Sequence, residues 1–325
     1  MTRLIDVHRH LWDVGWFPPS HLQRIAETNA KATNRNPDDI LEKVKRAKTM
    51  DPTGDGAVEE MEHFGIDVSI ILALDYGLAY GDDSITPVEE FNRLTMEACK
   101  KYPGKLYAMC GFDPRRPNAV QMFDKAVKEW GAIGLKVYPP NGFAPEDPVA
   151  YPMYQKAVEL DVPILIHTGG RDDRAKLWPQ GVAKVAQDFP TLRILMGHVN
   201  LQSPFTTEAY WDGLEAAAPH SNIYLDLCDW QALGAVDEQN IPKLISVIRT
   251  FLDRVGPERI CWGTDLPQAG LSSKQRRETE IWADIFKNLP EWGEKHGVAF
   301  TEHERDGICY RAAEACFSNI FAKSA

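Results

Sequence analysis

The chain has 325 residues, 44% hydrophobic and 26% charged, a mix that excludes disordered, collagen-like and low-complexity proteins. Lys and Arg number 36 against 47 Asp and Glu, a net charge of −11. Such a surface repels phosphate backbones and anionic lipid, so nucleic acid and membranes are not expected as partners and a small-molecule substrate is. The sequence has no run of 18 apolar residues and enters its first apolar stretch at Leu4, and its six cysteines form no C-x-x-C pair. These features predict a cytoplasmic protein without a signal peptide or a transmembrane span.

Eight short apolar runs read as strands: 4–7, 68–74, 106–111, 132–137, 163–167, 193–198, 223–227 and 260–264. After the first gap they recur at the spacing of about 30 residues that a parallel strand and its return helix require. The segments between them carry helix punctuation. Thr86-Pro87-Val88-Glu89 reads as a capping box. Residues 118–130 run to a stop at Gly131, and Asp147-Pro148 opens another helix. Residues 180–189 end at Pro190, 241–255 at Gly256-Pro257, and 272–289 at Pro290. Alternating strands and helices predict a parallel sheet covered by helices. Eight units predict an α/β fold, a parallel (β/α) TIM barrel formed by residues 1–325 as one domain. The rival is an open doubly wound sheet, but His8-Arg9-His10 stands where its glycine-rich turn would follow the first strand. The long first interval, 11–67, reads as an insertion over the barrel mouth, with a polar helix over 37–50.

Barrel enzymes place their chemistry at the C-terminal ends of the strands. His8 and His10, two apart on strand one, share a face directed to the lumen, whereas Ile5 and Val7 have the other parity and should pack on helices. Strand five ends at His167, strand six at His198 and strand eight at Asp265. The five other histidines read as surface or packing residues. On strand four, Ile133, Leu135 and Val137 should face the helices and Lys136 the lumen, where it needs an anion such as Asp226 or a role with substrate. Arg9 and Arg171, at or after strand ends, suit recognition of a carboxylate, whereas Arg174 reads as a solvated charge. Trp12, Tyr138 and Trp230 follow strands one, four and seven and could wall an aromatic or cyclic substrate.

Asp6-Val7-His8-Arg9-His10, His167, His198 and Gly263-Thr264-Asp265 resemble the amidohydrolase superfamily, and more closely its amidohydrolase-related branch of metal-dependent hydrolases, lactonases and non-oxidative decarboxylases. The resemblance covers nearly the whole chain, including Val162-Pro163-Ile164-Leu165-Ile166-His167-Thr168. It implies one divalent metal, zinc first and manganese or iron as alternatives, held by His8, His10, His167 and Asp265. His198 would lie beside it. A second metal bridged by a carboxylated Lys136 is the alternative arrangement. The resemblance implies hydrolysis of an ester, lactone or amide by activated water, with Asp265 as proton carrier and His198 or Lys136 steadying an oxyanion. Decarboxylation of a small unsaturated or aromatic acid is the other activity it allows, and barrels of this branch can form homo-oligomers. Near the C-terminus Ala312 stands where the branch's closing helix would carry asparagine.

Overall fold

The computed structural model describes residues 2–47, 50–169, 178–202, 204–267 and 272–321. Eight parallel strands are paired in chain order: β1 Ile5–Arg9, β2 Val68–Leu72, β3 Leu106–Gly111, β4 Leu135–Val137, β5 Ile164–His167, β6 Ile194–Gly197, β7 Ile223–Asp226 and β8 Ile260–Cys261. The ring closes between β8 and β1 through Val7 N–H to the Trp262 carbonyl (3.1 Å), Asp265 N–H to the His8 carbonyl (2.7 Å) and His10 N–H to the Leu266 carbonyl (2.7 Å). The protein is a (β/α)8 barrel.

The insertion after β1 holds α1 (Pro19–Thr33), α2 (Pro37–Lys45) and α3 (Asp55–Phe64). A short α4 (Gly77–Tyr80) precedes α5 (Val88–Lys100). The outer ring continues with α6 (Ala119–Lys125), α7 (Tyr151–Glu159), α8 (Trp178–Asp188), α9 (Tyr210–Ala217), α10 (Ile241–Val255) and α11 (Ser273–Lys287). Each packs through an apolar stripe. On α10, Ile241, Leu244, Ile245, Ile248, Phe251 and Leu252 are buried at helical spacing. Among the described residues, no helix is long and apolar enough to cross a membrane.

Three boundaries depart from the expected ones for local reasons. Thr86 does not cap α5: the helix begins at Val88 with Pro87 in the cap position and no side-chain cap bond, while the Thr86 N–H donates to the Gly15 carbonyl. The Asp147 carboxylate accepts the Ala144 N–H and forms a turn, so α7 begins only at Tyr151. The helix expected over 37–50 ends at Lys45.

The main correction concerns β1. Ile5 pairs with Val68 and Asp6 with Ser69, but Ile71 faces Arg9, so three steps on β1 match two on β2. This one-residue bulge leaves Val7 and His8 on the same side. Ile5 and Val7 therefore pack inside the barrel with Ile70, Leu165 and Leu195, not against helices, while His8 and His10 also face inward. Asp6 stabilises the bulge: its carboxylate accepts the His8 N–H (3.1 Å), the Thr264 N–H (2.9 Å) and the Thr264 hydroxyl (2.6 Å). On strand four, Leu135 and Val137 face the helices as expected. Ile133 joins the barrel floor instead, where Ala312, Cys316 and Phe317 of the C-terminal helical segment cover it.

Candidate active site

The ends of β1, β5, β6 and β8 and the middle of β4 bring His8, His10, His167, His198, Asp265 and Lys136 around one basin at the bottom of a cavity of about 740 Å³. His10 sets its Nδ1 2.8 Å from the Leu72 carbonyl, and His8 sets its Nδ1 2.6 Å from Asp226 Oδ2. Those acceptors assign the protons to Nδ1 and leave the Nε2 lone pairs free. Both lone pairs point at the same Asp265 oxygen, 3.0 Å from His10 and 3.2 Å from His8. Two imidazole lone pairs converging on a carboxylate oxygen repel one another unless a cation lies between them. Their Nδ1 atoms are fixed by a carboxylate and a carbonyl, as in metal-ligating histidines. This donor set fits a divalent metal.

The other two imidazoles contact each other in the same basin. His198 Nε2 lies 2.9 Å from His167 Nδ1, and its Nδ1 is 3.1 Å from Cys228 Sγ. His198, Val199 and Asn200 all adopt left-handed backbone conformations (φ 64°, 50° and 59°). Such strain persists only where surrounding contacts enforce it. Here the Thr168 hydroxyl donates to the Gly197 carbonyl (2.6 Å) and accepts the Asn200 N–H (2.7 Å). Asp265 is likewise left-handed, at φ 60°.

Burial dominates the electrostatics. It holds His8 and His167 well below the usual imidazole range, reinforced by Lys136 and by neighbouring imidazoles. It also takes His198 down to about 4, against the pull of Asp265. Burial brings Lys136 down to about 8, opposed by the charges of Asp265, Cys228 and Asp226. For Asp265, burial acts upward but is outweighed by its close approach to His10 and by the positive charge of Lys136, so its carboxyl lies below the usual range. The basin therefore presents His8, His167 and His198 as neutral imidazoles beside an ionised Asp265 carboxylate.

Lys136 points into the lumen as expected, with its Nζ 3.2 Å from His8 Nε2. Among the described residues no carboxylate comes within ion-pair distance of it, so the anticipated Asp226 bridge is absent. Asp226 orients His8 instead. Trp12 and Tyr138 line the cavity: Trp12 stacks on His10 (4.6 Å between centroids) and Tyr138 meets His167 edge-on (4.8 Å).

Two expected substrate contacts are corrected. Arg9 lies beyond the bulge on the outer face of β1, where its buried guanidinium pairs with Glu60 of α3, away from the cavity. Trp230 is fully buried among Phe205, Tyr210 and Phe251, and its indole N–H donates to the His198 carbonyl (3.1 Å), so it braces that histidine from behind and does not line the cavity. Arg171 and Arg174 lie outside the described residues.

Three contributors escaped the sequence reading. Cys228 sits two residues after Asp226, and the alternation that revealed His8 and His10 would have exposed it. Tyr76, just past β2, touches Tyr138 (5.4 Å) and lines the cavity; the strand-end rule applied to Trp12 would have found it. His21, read as a packing residue, also lines the cavity and stacks on Tyr76 (4.6 Å).

Comparison with known proteins agrees with this geometry. The family model described as amidohydrolase matches residues 5–318, and the chain belongs to that family. No curated protein matches it in sequence. Among solved structures, 5-carboxyvanillate decarboxylase from Novosphingobium aromaticivorans, complexed with manganese and a nitrobenzoic acid, is 13% identical over 98% of this chain and 96% of that one, with a TM-score of 0.63. A 4-oxalomesaconate hydratase from Rhodopseudomonas palustris is 17% identical over 99% and 97%, TM-score 0.59. A candidate 2-pyrone-4,6-dicarboxylic acid hydrolase from Pseudomonas putida is 15% identical over 98% of both chains, TM-score 0.63. At such identities the likeness speaks for the fold alone.

Proposed function

We propose that this protein is a metal-dependent hydrolase of an ester, lactone or amide bond. The observation that carries the reading is the Asp265 carboxylate set between the Nε2 atoms of His8 and His10, with the Lys136 ammonium against the same His8 nitrogen. His8, His10 and Asp265 would hold the metal, with His167 as the fourth donor. A divalent metal there supplies Lewis acidity, bringing the pKa of water toward about 7 and polarising a carbonyl.

The chain's own residues do the rest. Asp265, ionised in its pocket, takes a proton from the attacking water and returns it to the departing alcohol or amine. Hydroxide adds to the carbonyl carbon, and the acyl–oxygen or acyl–nitrogen bond breaks. Lys136 donates to the developing oxyanion, which gains more from it in this dry basin than it would in water. His198 is held fixed by Trp230 and by its strained turn, and it orients His167. With Arg9 committed to Glu60, recognition of an acidic substrate passes to Arg35 and Lys43, at the outer rim of the cavity.

A second reading, decarboxylation, is favoured by one feature: Trp12, Tyr76 and Tyr138 surround the inner end of the cavity with rings that suit a flat aromatic acid. One experiment separates the two. Zinc- or manganese-loaded protein is assayed on a lactone and ester panel for acid release and on an aromatic acid panel for CO₂. Acid release that disappears in Asp265→Asn while the fold is kept supports hydrolysis. CO₂ release without it overturns that reading.

A further inference from the structure

The cavity is larger than the reaction centre and has a direction. Its inner end is the histidine basin. Its outer part runs between α1 and α2. On α1, Leu22, Ile25, Asn29 and Thr33 face it at steps of three and four residues, one face of one helix. On α2, Ile40 and Val44 face it in the same way. At 1.5 Å per residue, Leu22 to Thr33 spans about 16 Å.

The two helices meet through small residues on the α1 side alone. Ala26 and Ala30 of α1 pack with Ile40, Leu41 and Val44 of α2 in a small cluster separate from the barrel core, and Ile40 and Val44 border the cavity as well. That contact leaves Leu22 and Ile25 turned to the cavity. Aromatic rings continue the apolar wall inward without a break: His21 stacks on Tyr76, Tyr76 meets Tyr138, and Tyr138 meets His167. The outer end opens at exposed Asn29, Thr33, Arg35 and Lys43. A volume of about 740 Å³ lies in the upper half of the range for ligand pockets.

We infer that the channel between α1 and α2 receives an apolar tail of the substrate, so that the bond broken belongs to a long-chain acyl ester, lactone or amide and not to a compact one. The nature of that bond rests on the hydrolase reading; the tail does not. The channel is open at the rim, so tails longer than the apolar stretch are tolerated but gain nothing further.

The test combines turnover and binding on the metal-loaded full chain. For p-nitrophenyl esters from acetate to dodecanoate, kcat/KM should climb about fourfold per methylene until the channel is filled, then level off. Dodecanoate should bind in calorimetry where butyrate does not. Val44→Trp, and independently Ile25→Trp, block the channel and should cut the ratio of dodecanoate-ester to acetate-ester kcat/KM by at least about tenfold. If the acetate ester is cleaved but the series is flat, the tail is refuted and the hydrolase stands. If no ester is cleaved yet dodecanoate binds and Val44→Trp or Ile25→Trp abolishes that binding, the tail stands and the hydrolase falls. Failure of dodecanoate to bind overturns the inference.

Discussion

Asp226→Asn isolates the group that orients the Nε2 face of His8 without touching any atom that faces the basin. Asp226 is fully buried, 2.6 Å from His8 Nδ1, and also accepts the Cys228 N–H at 3.0 Å. Asparagine keeps the shape and can still accept from Cys228, but its amide then presents N–H groups to His8 Nδ1. The ring would have to move its proton to Nε2, the nitrogen that must offer a lone pair to a metal. Loss of such an outer partner typically costs 10–100-fold in metal affinity, about 1.4–2.7 kcal/mol. Cys228 Sγ, 2.9 Å from the same nitrogen, is only a weak substitute acceptor, which sets the expectation toward the larger loss. Competition of purified protein against a zinc chelator gives the dissociation constant directly, and circular dichroism checks that the barrel is intact. An intact variant binding zinc within about twofold of the parent would refute both the tautomer argument and the role of His8 Nε2 as ligand.

Three further outcomes follow from contacts described above. Lys136→Met should lower kcat by about 10²–10³, the usual cost of one oxyanion donor, without lowering the melting temperature, because a buried cation without an ion-pair partner is removed. Arg9→Met should leave KM unchanged yet cost about 3–5 kcal/mol in denaturant unfolding by stranding Glu60, and adding Glu60→Leu should recover much of that loss. His21→Phe addresses pH. Burial, aided by the Arg24 charge, lowers the imidazole from its usual 6.5 to about 4, so below pH 6.5 the unfolded chain binds the extra proton and stability falls as pH drops toward 4. The variant keeps the stack on Tyr76 and should lose about 2 kcal/mol less than the parent across that window in urea titrations, after discounting the ring's partial exposure. Parallel curves for the two proteins would contradict the buried neutral state.

The barrel was legible because each strand run ended in polar punctuation and each helix carried its own stop. The basin was legible because strand ends are where such barrels gather their chemistry: His8, His10, His167, His198, Lys136 and Asp265 all converge. What failed was what strand periodicity cannot carry. The bulge in β1 adds one residue and inverts the expected faces of Ile5 and Val7. Arg9 obeyed alternation and pointed outward, but its partner Glu60 is 51 residues away, on a helix of the insertion. Trp230 follows a strand end as Tyr138 does, yet it turns back into an aromatic cluster that only tertiary packing creates. The channel between α1 and α2 depends on two helix faces whose mutual placement no local pattern specifies.

The extra residue in β1 has a consequence for how this centre could be gained or lost. Because it sets the phase of everything after it, His8 and His10 turn as one piece. Deleting a single residue before them would swing both imidazoles to the outer wall together, and adding one elsewhere on the strand could bring them back. A lineage could therefore switch such a centre off in one mutational event, while small drifts in side-chain identity along the strand would leave it standing.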